Sequence, residues 1–245
     1  MNETVEAHIV SAFDEDLKRI EGLLLEMGGR VEQQIAEAVG ALDARDAERA
    51  EAVRASDKAV DALEAEVDEQ AVRLLALRQP MAADLRKVVS TLKVSAYLER
   101  VGDYAKNVAK RTSVLVQEPE VGSATKTIRR MGKLTQDMLH DVLEAYVNRD
   151  LVTADDVIRR DEEVDQLHNA LFRELLTYMM EDPRRITSSM HLLFVAKNVE
   201  RIGDHITGVA EQVHFLTTGT MPGEDRPKAD RTSMMGLSDV RDAAE

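Results

Sequence analysis

Apolar positions recur at intervals of three and four along almost the whole chain, which is the spacing of helices that bury one face. Six such stretches stand between turn signals, at 13–44, 47–77, 81–117, 123–148, 153–181 and 184–217. Each is long enough for a helix of about seven or more turns. Proline cannot donate an amide proton into the preceding turn and restricts the residue before it, so Arg78-Gln79-Pro80 and Asp182-Pro183 end helices. Breaks this short force antiparallel neighbours. Gln117 to Ser123, with Pro119 and Gly122 inside it, reads as a link between bundles. From Gly219 onward Gly, Pro and charge replace the periodicity, which predicts a disordered or loosely attached tail.

The stretches also repeat. Met27-Gly28 returns as Met131-Gly132, Arg45-Asp46 as Arg149-Asp150, and Asp57-x-x-Val60-Asp61 as Asp161-x-x-Val164-Asp165, all 104 residues apart. Glu99-Arg100-Val101-Gly102-Asp103 reappears as Glu200-Arg201-Ile202-Gly203-Asp204 at a separation of 101, so short deletions lie near the prolines. One unit was duplicated. The expectation is an all-α fold of two tandem three-helix bundles, at 8–118 and 122–217, followed by a tail over 218–245.

Composition narrows the function classes. Aromatics make up 3% of the chain and Trp is absent; Leu, Val, Ile, Ala and Met fill the apolar positions, which argues against strands. With no Cys there is no disulfide, thiolate metal site or cysteine nucleophile. The N-terminus has neither the basic start nor the apolar run of a signal peptide, and no run of about 18 apolar residues occurs, so a cytoplasmic protein that reaches membranes only through partners is expected. A net charge of −14 disfavours nucleic acid, whose phosphates are bound by clustered Lys and Arg.

The candidate chemistry lies in acids that continue an apolar line. In the third stretch Leu85, Val88, Val89, Leu92 and Ala96 share a face, and at about 100° per residue Glu99 and Asp103 fall on that same face. Ile186, Met190 and Leu193 run into Glu200 and Asp204 in the same way. The second stretch of the first unit offers Asp57, Asp61, Glu64 and Asp68 along one line; the counterparts are Asp161, Asp165, His168 and Phe172. Counted from the proline break, Asp61 is 17 residues away and Glu99 is 18; Asp57 and Asp103 are 21 and 22 away. The acids of the two helices therefore meet at one level, and the second unit repeats the count. Like charges at a few ångströms raise one another's pKa, and a cation relieves that. Oxygen-rich sets favour hard or borderline cations such as Mg, Ca, Mn or Fe. The competing expectation is a solvated groove in which Arg100, Lys106, Lys197 or Arg201 neutralises the acids.

MGGRVEQQI, LALRQPMAADLR, LERVGDYAKN, LLTYMMEDPRRI and VERIGDHITG resemble segments of the PhoU family over residues 8–217. That resemblance implies two three-helix bundles related by pseudo-twofold symmetry, with multinuclear metal clusters in some members. It implies a homodimer that acts beside the phosphate ABC transporter and its sensor histidine kinase to repress the phosphate regulon and limit uptake. The implied metal-facing residues are Asp57, Asp61, Glu99 and Asp103 in the first unit and Asp161, Asp165, Glu200 and Asp204 in the second. Glu64 and Asp68 rank behind them, and His168 is read first as a packed histidine.

Three rivals remain. A ferritin-like di-iron enzyme needs Glu-x-x-His on two helices, and only Asp165-x-x-His168 approaches it. A phosphorelay through His140 lacks any kinase nucleotide motif, so His140 is expected on a helix surface. The last is a helical scaffold, with or without metal, that has no phosphate role. With no catalytic constellation and no Gly-rich phosphate loop, the residues point to a docking regulator and not to an enzyme.

Overall fold

A computed structural model describes residues 2–222, with side chains from Phe13 onward. Six helices appear in chain order: α1 (Asn2–Ala44), α2 (Ala47–Arg78), α3 (Ala83–Leu115), α4 (Ala124–Asn148), α5 (Leu151–Glu181) and α6 (Ile186–Thr218). Among the described residues there is no strand. The fold is all-α, with α1–α3 and α4–α6 forming two antiparallel three-helix bundles. Helix α1 begins eleven residues before the predicted Phe13, while α3 begins at Ala83 because Pro80 and the positive φ of Gln79 and Ala82 hold the preceding residues out of the helix. A 3-10 turn at Pro183–Arg185 precedes α6, with Asp182 accepting from the Arg184 amide. Most of the predicted tail lies outside the described residues.

The repeated Arg-Asp dipeptide is a helix–helix turn. Arg45 and Arg149 both take left-handed φ, at 53° and 55°. The next residue caps the following helix: Asp46 accepts from the Arg49 amide, and Asp150 from the amides of Val152 and Thr153. Each cap satisfies amides that would otherwise lack partners, which is worth about 1 kcal/mol.

The halves join along two antiparallel seams, α1 against α4 and α3 against α6. The repeated Met-Gly explains the first seam. A Cβ on Gly28 would lie 2.5 Å from Leu143 Cδ1, and one on Gly132 would lie 2.6 Å from Val39 Cγ2. Leu143 is itself the 104-residue counterpart of Val39, so the two contacts are reciprocal, as pseudo-twofold symmetry requires. The apolar core runs through both halves without a break, and Leu24, Met27, Leu98, Met131, Leu139 and Leu171 all belong to it. Because α1 has 43 residues and α4 only 25, α1 alone builds a satellite cluster in which Phe13, Leu17 and Ile20 cover Val67, Leu74 and Val88.

Candidate functional site

Helices α2 and α3 bring the first acidic set together. Lys106 donates both to Asp57 and to Asp103 Oδ1, the latter at 2.6 Å, and so bridges the two helices. Arg100 approaches Glu99 at 3.6 Å and Asp103 at 3.8 Å. Asp57 is buried, Glu99, Asp103 and Glu64 are partly buried, and Asp61 and Asp68 are exposed.

The electrostatics show how crowded this set is. Burial raises the pKa of Glu99 to about 7, with Asp103 and Glu64 adding repulsion that Arg100 only partly offsets. Burial likewise raises Asp57 and Glu64. For Lys106 burial works against the charged form, but the hydrogen bonds to Asp103 and Asp57 outweigh it and hold the ammonium well above its usual pKa. Of the two acids Asp61 and Glu64, the structure leaves Asp61 exposed and half-buries Glu64, whose charge acts on Glu99, although the resemblance ranked Glu64 behind Asp61. Counting from the proline break measures height along an axis, whereas the rotation of each helix decides which acid of a line turns inward.

In the second half Asp161, Asp165 and Glu200 are each no more than 5% exposed, His168 is 2% exposed, and Asp204 is partly buried. Lys197 donates to Glu200 Oε1 at 2.8 Å. The glycine of the repeated signature permits this arrangement, since a Cβ on Gly203 would stand 2.3 Å from Asp161 Oδ1. At Gly102 the nearest atom would be Gln34 Oε1 at 3.0 Å, with Asp57 Oδ1 at 3.7 Å. In both halves an aspartate from the neighbouring helix rests against the signature glycine. His140, by contrast, is 59% exposed and stands 3.6 Å from Glu32.

Both sets offer oxygen ligands suited to a hard cation, and the raised pKa of Glu99 is the strain such a cation would relieve. Their spacing is a separate matter. Among the described residues no three His, Asp or Glu groups converge closely enough to hold one ion, and in the first half Lys106 supplies the positive charge between Asp57 and Asp103. Cation binding there requires Lys106 to swing aside.

The PhoU domain family model matches residues 24–112 and again 128–213, one copy on each half. This chain belongs to the PhoU family. It is 51% identical over 223 residues to a phosphate-specific transport system accessory protein PhoU homolog of Caulobacter vibrioides, covering 91% of this chain and 97% of that one. The PhoU homolog of Rhizobium meliloti is 45% identical, over 94% of this chain and 97% of its own. Among solved structures, PhoU from Pseudomonas aeruginosa superposes with a TM-score of 0.82 at 40% identity, covering 85% of this chain and all of that one. The phosphate transport system regulatory protein PhoU from Streptococcus pneumoniae gives 0.80 at 30% identity, over 86% and 99%. The resemblance carried by the quoted segments thus extends through both PhoU halves and the seams between them.

Proposed function

We propose that this protein is a negative regulator of the phosphate regulon and of phosphate uptake. It acts in the cytoplasm by docking between the phosphate ABC transporter and its sensor histidine kinase. The observation that carries this reading is the likeness to phosphate-specific transport system accessory proteins across nine-tenths of the chain. A docking role suits the architecture. Among the described residues no helix is long and apolar enough to cross a membrane, so contact with the transporter's membrane part runs through protein surfaces. No enzyme activity is assigned. The working unit in this reading is a homodimer, and the acidic clusters hold divalent or iron cations.

Deleting the gene tests the regulatory role directly. Phosphate-scavenging genes become constitutively expressed in phosphate-rich medium; normal repression in the deletion strain refutes the assignment. Elemental analysis of gently purified protein tests the cations, beside a variant with Glu99, Asp103, Glu200 and Asp204 all replaced. Metal present in the native protein and lost from the variant supports them. Metal-free native protein would leave Lys106 and Lys197 as the counterions and a scaffold that works without metal.

A further inference from the structure

Two equivalent grooves lie where the halves meet, one beside the α1–α2 turn and one beside the α4–α5 turn. Leu42, Arg45, Leu115 and Thr125 line the first, and their repeat counterparts Tyr146, Arg149, Leu216 and Glu21 line the second. The chain that leaves α3 fills the first groove. Arg45 donates to the carbonyl of Val116 at 2.9 Å and to that of Glu118 at 2.7 Å, and Val121 is buried behind them. A void of only about 20 Å³ is left. The second groove keeps a cavity of about 90 Å³, walled also by Leu25, Lys87 and Val147. Arg149 is exposed, and among the described residues its guanidinium donates no hydrogen bond.

The rim differs in the same direction. Beside the first groove Arg129 of α4 bonds Asp43 of α1 at 3.0 Å, an ion pair suited to water. The counterparts 104 residues away are Leu25 of α1 and Val147 of α4, which are 41% and 55% exposed. Two apolar side chains thus stand where the other groove has opposite charges, next to a cavity and a guanidinium with donors to spare. Such a groove suits an occupant that brings apolar side chains to cover the rim and main-chain carbonyls to accept from the arginine.

The chain leaving α6 starts at this groove. Leu216 lines the cavity, and Pro222, the last described residue, is six positions further on. Thr217 and Gly219 are the counterparts of Val116 and Glu118, but neither carbonyl accepts from Arg149, and Met221 Sδ instead accepts from Gln212 at 3.7 Å. Residues 223–245 follow. Within them Met234, Met235, Leu237 and Val240 fall in one stretch, whereas 223–233 hold no apolar side chain larger than that of Pro227. Met234 is 12 residues beyond Pro222, about 40 Å of extended chain, so the stretch can return to Leu216.

We propose that residues 234–240 dock in the α4–α5 groove of their own chain. Leu237 and its apolar neighbours cover Leu25 and Val147, and Arg149 donates to carbonyls of the segment as Arg45 does to Val116 and Glu118. This goes beyond the regulatory role proposed above and rests on neither the acidic clusters nor the partners named there.

The chain has no Cys, so a pair of spin labels can be placed in the full-length protein without competing thiols. One label goes on Val152→Cys, an exposed position three residues from Arg149, and the other on Ser238→Cys. Double electron–electron resonance between them should give a narrow distance distribution. Arg149→Gln should reduce the narrow share at least twofold, and Leu237→Ser at least threefold. If Arg149→Gln does not fold, Leu237→Ser decides. A distribution as broad as that of a free chain, or a narrow one that survives either substitution in folded protein, overturns the proposal. A narrow distance between mixed singly labelled proteins would put the segment of a second copy in the groove and overturn it as well.

Discussion

In the first half the acids line an open groove in which Lys106 bridges Asp57 and Asp103, whereas in the second half Asp161, Asp165 and Glu200 are buried beside His168. The repeat preserves the acids but not their counterions. Lys106 follows Asp103 by three residues, and its counterpart is the buried Thr207; Lys197 precedes Glu200 by three, and its counterpart is Ala96. Each half places a lysine near its carboxylates from the opposite direction along the helix. The halves differ also in that Glu64 and Asp68 have His168 and Phe172 as counterparts, which removes two acids from the line. Duplicated acids with separately placed lysines indicate that the requirement is for positive charge at that level, met locally by whichever turn can reach it.

Removing one of those lysines is the most direct way to break the comparison. Lys106→Met strands the buried Asp57, and after allowance for the partial exposure of the lysine it should cost about 2 kcal/mol in chemical denaturation at pH 7. A loss below about 0.5 kcal/mol would mean that the groove does not depend on its lysine.

The signature glycines come next. Gly203→Ala drives a methyl against the buried Asp161, and even after the helix-propensity gain of an alanine it should cost about 1.5 kcal/mol. Gly102→Ala meets looser neighbours, so its gain and loss should nearly cancel. Equal thermal shifts in the two variants would contradict the deeper burial of the second set.

A pH series sharpens the contrast further. Glu99 has a folded-state pKa of about 7, above the usual 4.5, so the folded protein binds more protons than the unfolded chain between those values, and stability falls as pH rises through that window. Glu99→Gln removes the penalty. With solvent screening at this partly exposed carboxyl, the variant should gain about 1 kcal/mol over the parent at pH 8 and nothing at pH 4. A gain that is the same at both pH values would show that the carboxyl ionises normally. The smallest effect belongs to His140→Ala. The histidine is exposed, so the change should move stability by less than about 0.5 kcal/mol and leave repression of phosphate-scavenging genes intact.

Much of the architecture was legible because it is written in short-range chemistry. Pro80 and Pro183 follow the ends of α2 and α5, and three-to-four spacing marks a buried face without reference to any neighbour. The site was legible in part. Asp57 and Asp103 meet through Lys106, as counts of 21 and 22 from the proline break require, but Asp61 is exposed while Glu64 is the half-buried acid whose charge acts on Glu99. Met27-Gly28 and Met131-Gly132 were visible as a repeat, yet nothing local shows that each glycine admits a side chain from the other half.

By itself, then, the chain determined its helices, their breaks, its duplication and the alignment of its acids, because each follows from angles and distances measured along one helix. Tertiary structure alone decided how deeply each acid is buried and which lysine answers it. Those outcomes depend on what an adjacent helix carries to the same point, and periodicity within one helix holds no record of its neighbour's side chains.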